Sequence, residues 1–67
     1  MERTKEEIRK FLEEEINNKT KEQALEILKE RKFNIDMRDH WDEEDKKWYN
    51  VVSEMIKEIE NIKGGLK

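Results

Sequence analysis

The sequence contains no cysteine and no proline, and its only two glycines are Gly64 and Gly65. Without cysteine, a disulfide, a thiol nucleophile and a cysteine-ligated zinc site are excluded. Without an earlier glycine, neither a phosphate-cradling loop nor the sharp turn of a calcium-binding loop is expected. Because no long apolar run is present, we expect no signal peptide, no membrane-spanning segment and a cytoplasmic location.

Charged residues are abundant in this sequence, and apolar residues are few. They make up 49% of the 67 residues, but 15 basic and 18 acidic side chains leave a net charge of only −3. The apolar residues recur at helical spacings rather than at random, which favours an ordered helical domain over a disordered chain. A chain of this size buries only about 60% of its unfolded surface, so we expect a single small domain covering residues 1–67.

Apolar periodicity and capping signals predict an all-α fold with three helices. The first two span about 4–18 and 20–32, and each opens with a capping box, formed by Thr4 with Glu7 and by Thr20 with Gln23. The short link between them predicts an antiparallel helical hairpin. The third helix, about 42–63, begins at the N-cap Asp42 and packs across the hairpin.

The segment 33–41 departs from helical spacing. Phe33, Ile35 and Met37 alternate with polar residues, which predicts an extended connector whose three apolar side chains close the open end of the hairpin. Gly64 follows the third helix as a C-cap glycine, and residues 64–67 are predicted to be a disordered tail.

The third helix is predicted to be longer than the other two. It therefore either overhangs the hairpin or is partly covered by the connector. An uncovered overhang exposes Ile59, Ile62 and Leu66, and such an apolar surface predicts a homodimer contact.

The stretch DHWDEEDKKWY, residues 39–49, holds the only histidine, both tryptophans and the only tyrosine. Its acidic residues are typical of a first helical turn, and Trp48 begins the apolar stripe of the third helix. The remaining features predict a partner-binding patch made of Asp39, His40, Trp41 and Asp45. Asp45 falls inside the apolar arc, so either the third helix is not packed until Trp48 or Asp45 is paired with a buried donor such as the Trp41 indole N–H.

Catalytic and metal-binding chemistry find little support. Asp36, His40 and Glu44 share a face only if the segment is helical throughout, and a single histidine is too few for the usual zinc site. Thr4 and Thr20 are accounted for as N-caps, and nothing brings Ser53 to His40. We predict no catalytic residue, no metal, no cofactor and no enzyme activity.

A nucleic-acid-binding alternative depends on the basic residues of the second helix and its exit. The net charge of −3 opposes this alternative, and the lysines can instead pair along the helix with Glu22, Glu26 and Glu30. The residues in question are Lys21, Lys29, Arg31, Lys32 and Arg38.

The sequence therefore predicts a small non-enzymatic regulatory, adaptor or inhibitor-like protein that acts by binding another protein. A remote alternative is an inhibitor whose carboxylates imitate the phosphates of DNA. That alternative uses the acidic runs 13–15 and 42–45.

Overall fold

The computed structural model describes residues 3–62. This part of the chain forms three α-helices, α1 (Lys5–Ile16), α2 (Lys21–Asp36) and α3 (Glu43–Glu60), and contains no β-strand. α3 packs against both other helices, and more extensively against α2 than against α1. The predicted small all-α domain is confirmed. None of the described helices is both long and apolar enough to cross a bilayer.

Each helix begins with the local signal that predicted it. In every case the N-cap side chain accepts a hydrogen bond from the backbone N–H three residues later, and that later side chain accepts one from the N-cap backbone. This reciprocal arrangement satisfies two backbone donors that the first helical turn leaves unpaired. The pairs are Thr4–Glu7, Thr20–Gln23 and Asp42–Asp45.

The core is formed by apolar side chains of all three helices, with α3 supplying the largest share. Leu12 of α1, Leu28 of α2 and Val52 of α3 are fully buried in it. Trp48 is half-buried and packs against this cluster, as predicted. The other members are Ile8, Ile16, Ala24, Val51, Met55, Ile56 and Ile59.

The second helix is longer than the sequence predicted. It continues to Asp36, so most of the segment 33–37 is helical and not extended. Ile35 lies seven residues after Leu28, which keeps it on the core face, and no proline or glycine interrupts the helix between them. Of the three side chains expected to close the hairpin, Ile35 alone is buried, while Phe33 and Met37 are exposed.

The third helix shows no overhang within the described residues. It has 18 residues against 16 for α2, and it ends at Glu60 with Asn61 as its C-cap. Ile62 is half-buried, and Ile59 is buried in the core, so Ile59 is not available for the predicted dimer contact. Leu66, Gly64 and the predicted tail lie outside the described residues.

Candidate protein-binding surface

Of the four residues predicted as a partner-binding patch, two are exposed and two are held by contacts within the fold. Asp39 and His40 are exposed in the connection between α2 and α3. Trp41 is half-buried, and its indole N–H donates to the carbonyl oxygen of Ile35 at 2.8 Å. Its ring packs on Tyr49 with a centroid distance of 4.8 Å. Trp41 therefore joins the end of α2 to α3.

Asp45 leans inward, but its partner is not the Trp41 indole. Its side chain is 14% exposed and accepts a hydrogen bond from the Arg38 guanidinium at 2.6 Å. The same carboxylate also accepts from the backbone N–H of Asp42 as part of the capping box of α3. The expectation of a donor beside Asp45 was sound, whereas the donor named for it was wrong.

The possible metal ligands are separated by the break between two helices. α2 ends at Asp36 and α3 begins at Glu43, so Asp36, His40 and Glu44 do not follow one helical face. Across residues 3–62, no group of three or more histidine, aspartate or glutamate side chains is arranged to hold a metal ion.

A shallow pocket of about 340 Å³ lies where the C-terminal half of α2 meets the start of α3. Its walls are formed by Arg3, Arg31, Asn34, Ile35, Arg38, Glu44, Asp45 and Trp48. Arg38 is paired with Asp45 inside the pocket, and Arg31 is paired with Glu15 at its edge. Two of the three cations that line the pocket are therefore already neutralised.

The Arg31–Glu15 pair is the best-formed ion pair in the described chain. Two guanidinium nitrogens of Arg31 donate to the two carboxylate oxygens of Glu15, at 2.8 and 2.6 Å. These hydrogen bonds hold the pKa of Glu15 below its usual 4.5. The guanidinium also lies 5.6 Å from the ring of Phe11 and 5.7 Å from that of Trp48, so Arg31 links α1, α2 and α3.

The cations proposed for nucleic-acid binding are all engaged within the molecule. None of them projects without a partner, and each contact involves α1, α3 or the residues that follow α3. Lys21 Nζ donates to the carbonyl oxygen of Ile62 at 2.7 Å, and Lys32 Nζ lies 5.4 Å from the centroid of the Tyr49 ring. The other three form ion pairs: Lys29 with Glu60 at 3.4 Å, Arg31 with Glu15, and Arg38 with Asp45.

The acidic runs that could imitate DNA are also largely occupied. In the first run, Glu13 pairs with Arg9 and Glu15 with Arg31. In the second run, Asp42 and Asp45 form the capping box, Glu43 pairs with Lys46, and Glu44 accepts from the Arg3 backbone N–H. These carboxylates stabilise the fold locally and do not form a free row of charges.

The glutamates of α2 are not paired with the lysines of the same helix. Lys21, Lys29 and Lys32 were predicted to pair along the helix with Glu22, Glu26 and Glu30, but they contact α3 and the residues after it instead. The glutamates are exposed, and none has an ion-pair partner within residues 3–62. Their regular spacing of four residues places them on one side of α2.

Phe33 and Met37 continue this side of the helix. They are 61% and 66% exposed, the highest exposures among the large apolar side chains that the structure describes. At 100° per residue, Phe33 lies about 160° from Ile35 around the helix, away from the core. We call Glu22, Glu26, Glu30, Phe33 and Met37 the outer stripe of α2.

The predicted connector placed Phe33 and Met37 among buried side chains, so this apolar end of the outer stripe was not predicted. The signal that could have found it is the spacing of seven residues between Leu28 and Ile35. This spacing extends the core face of α2, and on a continued helix it places Phe33 and Met37 on the opposite side.

Comparison with protein-family models, curated proteins and solved structures gave no match for this chain.

Proposed function

We propose that this protein is a small non-enzymatic regulatory, adaptor or inhibitor-like protein that acts by binding another protein through the outer stripe of α2. The observation that carries the proposal is the exposure of Phe33 and Met37 one helical turn apart. Burying a side chain of this size in a partner contributes about 1.5–3 kcal/mol. Aromatic residues and methionine are enriched at protein interfaces for this reason.

The surroundings of these two side chains support the proposal. The internal contacts of α2 use its core face and its basic residues, which reach α1, α3 and the residues after α3. The described structure therefore uses one side of α2 for folding and leaves the opposite side exposed. A partner can cover that side without disturbing the core.

Only half of the predicted patch belongs to this proposed surface. Asp39 and His40 follow Met37 closely in the chain and are exposed, so they can extend the outer stripe toward α3. Trp41 and Asp45 are held by Ile35 and Arg38 and are better assigned to the fold.

The test is affinity capture from a lysate of the source cells, comparing the wild type with the double variant Phe33→Ala/Met37→Ala. Phe11→Ala is the matched control, since Phe11 is an exposed aromatic side chain on a different helix. Circular dichroism must first show that all three proteins are folded at the capture temperature.

A specific partner should be retained by the wild type and by Phe11→Ala, and reduced about tenfold or more by the double variant, which corresponds to losing the burial of one large side chain. Equal capture by the double variant would overturn the proposal, because binding would then not involve the outer stripe.

A further inference from the structure

We infer that the partner presents a basic amphipathic helix, with lysine or arginine side chains along Glu22, Glu26 and Glu30 and apolar side chains over Phe33 and Met37. This inference rests on the proposed function and specifies the chemistry of the partner.

The charge of the outer stripe selects a basic partner. The glutamates at one end are exposed and unpaired within residues 3–62, while the neighbouring lysines of α2 contact Ile62, Glu60 and Tyr49. A partner that approaches this side therefore meets three exposed carboxylates that form no ion pair within residues 3–62. Glu30 also interacts electrostatically with Arg31, whose guanidinium is already paired with Glu15. Complementary charges speed such an encounter and disfavour acidic competitors.

The size of the apolar pair argues against a second copy of this chain as the partner. Phe33 and Met37 together offer roughly 300 Å², whereas a stable interface buries about 800 Å² on each side. A second outer stripe supplies the same small apolar pair and three more glutamates, and these glutamates find no cation on the facing stripe. The additional contact must therefore come from a surface that supplies positive charge.

The order of residues along α2 also limits how charged and apolar side chains are arranged on the partner. The acidic residues lie toward the N-terminus of the helix and the apolar pair lies at its C-terminal end. From residue 22 to residue 37 the stripe extends about 22 Å at 1.5 Å per residue. A complementary helix of similar length carries its apolar residues toward one end and its cations, spaced by three or four residues, toward the other.

The test begins with a displayed library of random 20-residue peptides selected on the full-length wild-type protein, with counter-selection on Phe33→Ala/Met37→Ala. We expect the retained peptides to be rich in lysine and arginine and to carry apolar residues at helical spacing near one end. Neutral or acidic peptides that still require Phe33 and Met37 would overturn the inference but leave the proposed function standing. If no retained peptide requires Phe33 and Met37, both fail.

The charge requirement is then measured directly with a retained peptide. The variant Glu22→Gln/Glu26→Gln/Glu30→Gln should weaken its binding about tenfold at low salt, since exposed ion pairs contribute modestly and additively. The matched control is Glu6→Gln/Glu14→Gln/Glu54→Gln, which removes the same charge from exposed positions outside the stripe. Each triple variant includes one glutamate from a first helical turn, Glu22 or Glu6.

The control should change the affinity by less than about twofold, and higher salt should reduce the difference between the two triple variants. Equal weakening by both would show that only overall charge matters and would overturn the inference. Light scattering of the wild type provides the remaining outcome, because a dimer that Phe33→Ala/Met37→Ala dissociates would identify a second copy as the occupant.

Discussion

The indole N–H of Trp41 donates a hydrogen bond to the carbonyl oxygen of Ile35 over 2.8 Å. Ile35 lies in the last turn of α2, where helical carbonyls have no partner within the helix. The backbone N–H of Arg38 donates to the same oxygen at 3.0 Å. Because the Trp41 ring also packs on Tyr49 of α3, this one side chain fixes the path of the chain between the two helices.

We therefore expect Trp41→Ala to lower the free energy of unfolding by about 2 kcal/mol, less than for a fully buried tryptophan because Trp41 is half-buried. Trp41→Phe keeps a ring against Tyr49 and removes the N–H donor, which should cost about 1 kcal/mol. Urea unfolding followed by circular dichroism measures both. A midpoint unchanged in Trp41→Ala would mean that this contact does not support the fold and would return Trp41 to the candidate binding surface.

The helix starts were predictable because their causes are local. Thr4, Thr20 and Asp42 each find their capping partner three residues along the chain, so the signal is complete within four letters. The apolar stripe of α3 that begins at Trp48 was likewise predictable from the spacing of its residues alone.

The outer stripe depends on contacts between distant residues, which local patterns do not show. Lys29 has glutamates within its own helix, yet it pairs with Glu60, and Lys21 reaches the carbonyl of Ile62. Only the position of α3 determines this choice. The alternation of Phe33, Ile35 and Met37 was too short to distinguish an extended segment from the last turn of a helix.

The Arg31–Glu15 pair predicts a dependence of stability on pH. The pKa of Glu15 is lower in the folded chain than its usual 4.5, so the pair stabilises the fold above that value and loses its effect as the pH falls through the folded pKa. The two side chains are 36% and 30% exposed, so after solvent screening we expect a contribution of about 1 kcal/mol at neutral pH. Glu15→Gln should be less stable than the wild type by about this amount at pH 7, and the difference should shrink below about pH 4.5.

Glu14→Gln is the matched control for this measurement. Glu14 is exposed on the same helix and has no ion-pair partner within residues 3–62. Urea unfolding across a pH series should show little difference between this variant and the wild type. A difference between Glu15→Gln and the wild type that stays constant down to pH 3 would contradict the role of the carboxylate charge.

Ser53 offers a substitution that should stabilise the protein. Its hydroxyl oxygen is buried and makes no hydrogen bond within the described structure. Ser53→Ala removes this unpaired group and introduces the residue with the highest helix propensity, so we expect a gain of about 1 kcal/mol. Glu54→Ala changes helix propensity at the neighbouring exposed position and serves as the control. Thermal unfolding that shows equal gains for both would exclude a contribution from the buried hydroxyl.

Because the cations of α2 and Arg38, which follows it, are engaged within the molecule, we expect that the protein does not bind DNA. Lys29, Arg31 and Arg38 pair with carboxylates, while Lys21 and Lys32 contact a carbonyl oxygen and an aromatic ring, so phosphate must compete for them with existing partners. The unpaired glutamates of the outer stripe repel phosphate on the same helix. A gel-shift experiment with mixed-sequence DNA at low salt should therefore show no complex. The contrary result would be a complex for which the logarithm of the binding constant falls linearly with the logarithm of the salt concentration. If Lys21→Gln/Lys29→Gln/Lys32→Gln also weakened that complex, the lysines would have exchanged their internal contacts for phosphate.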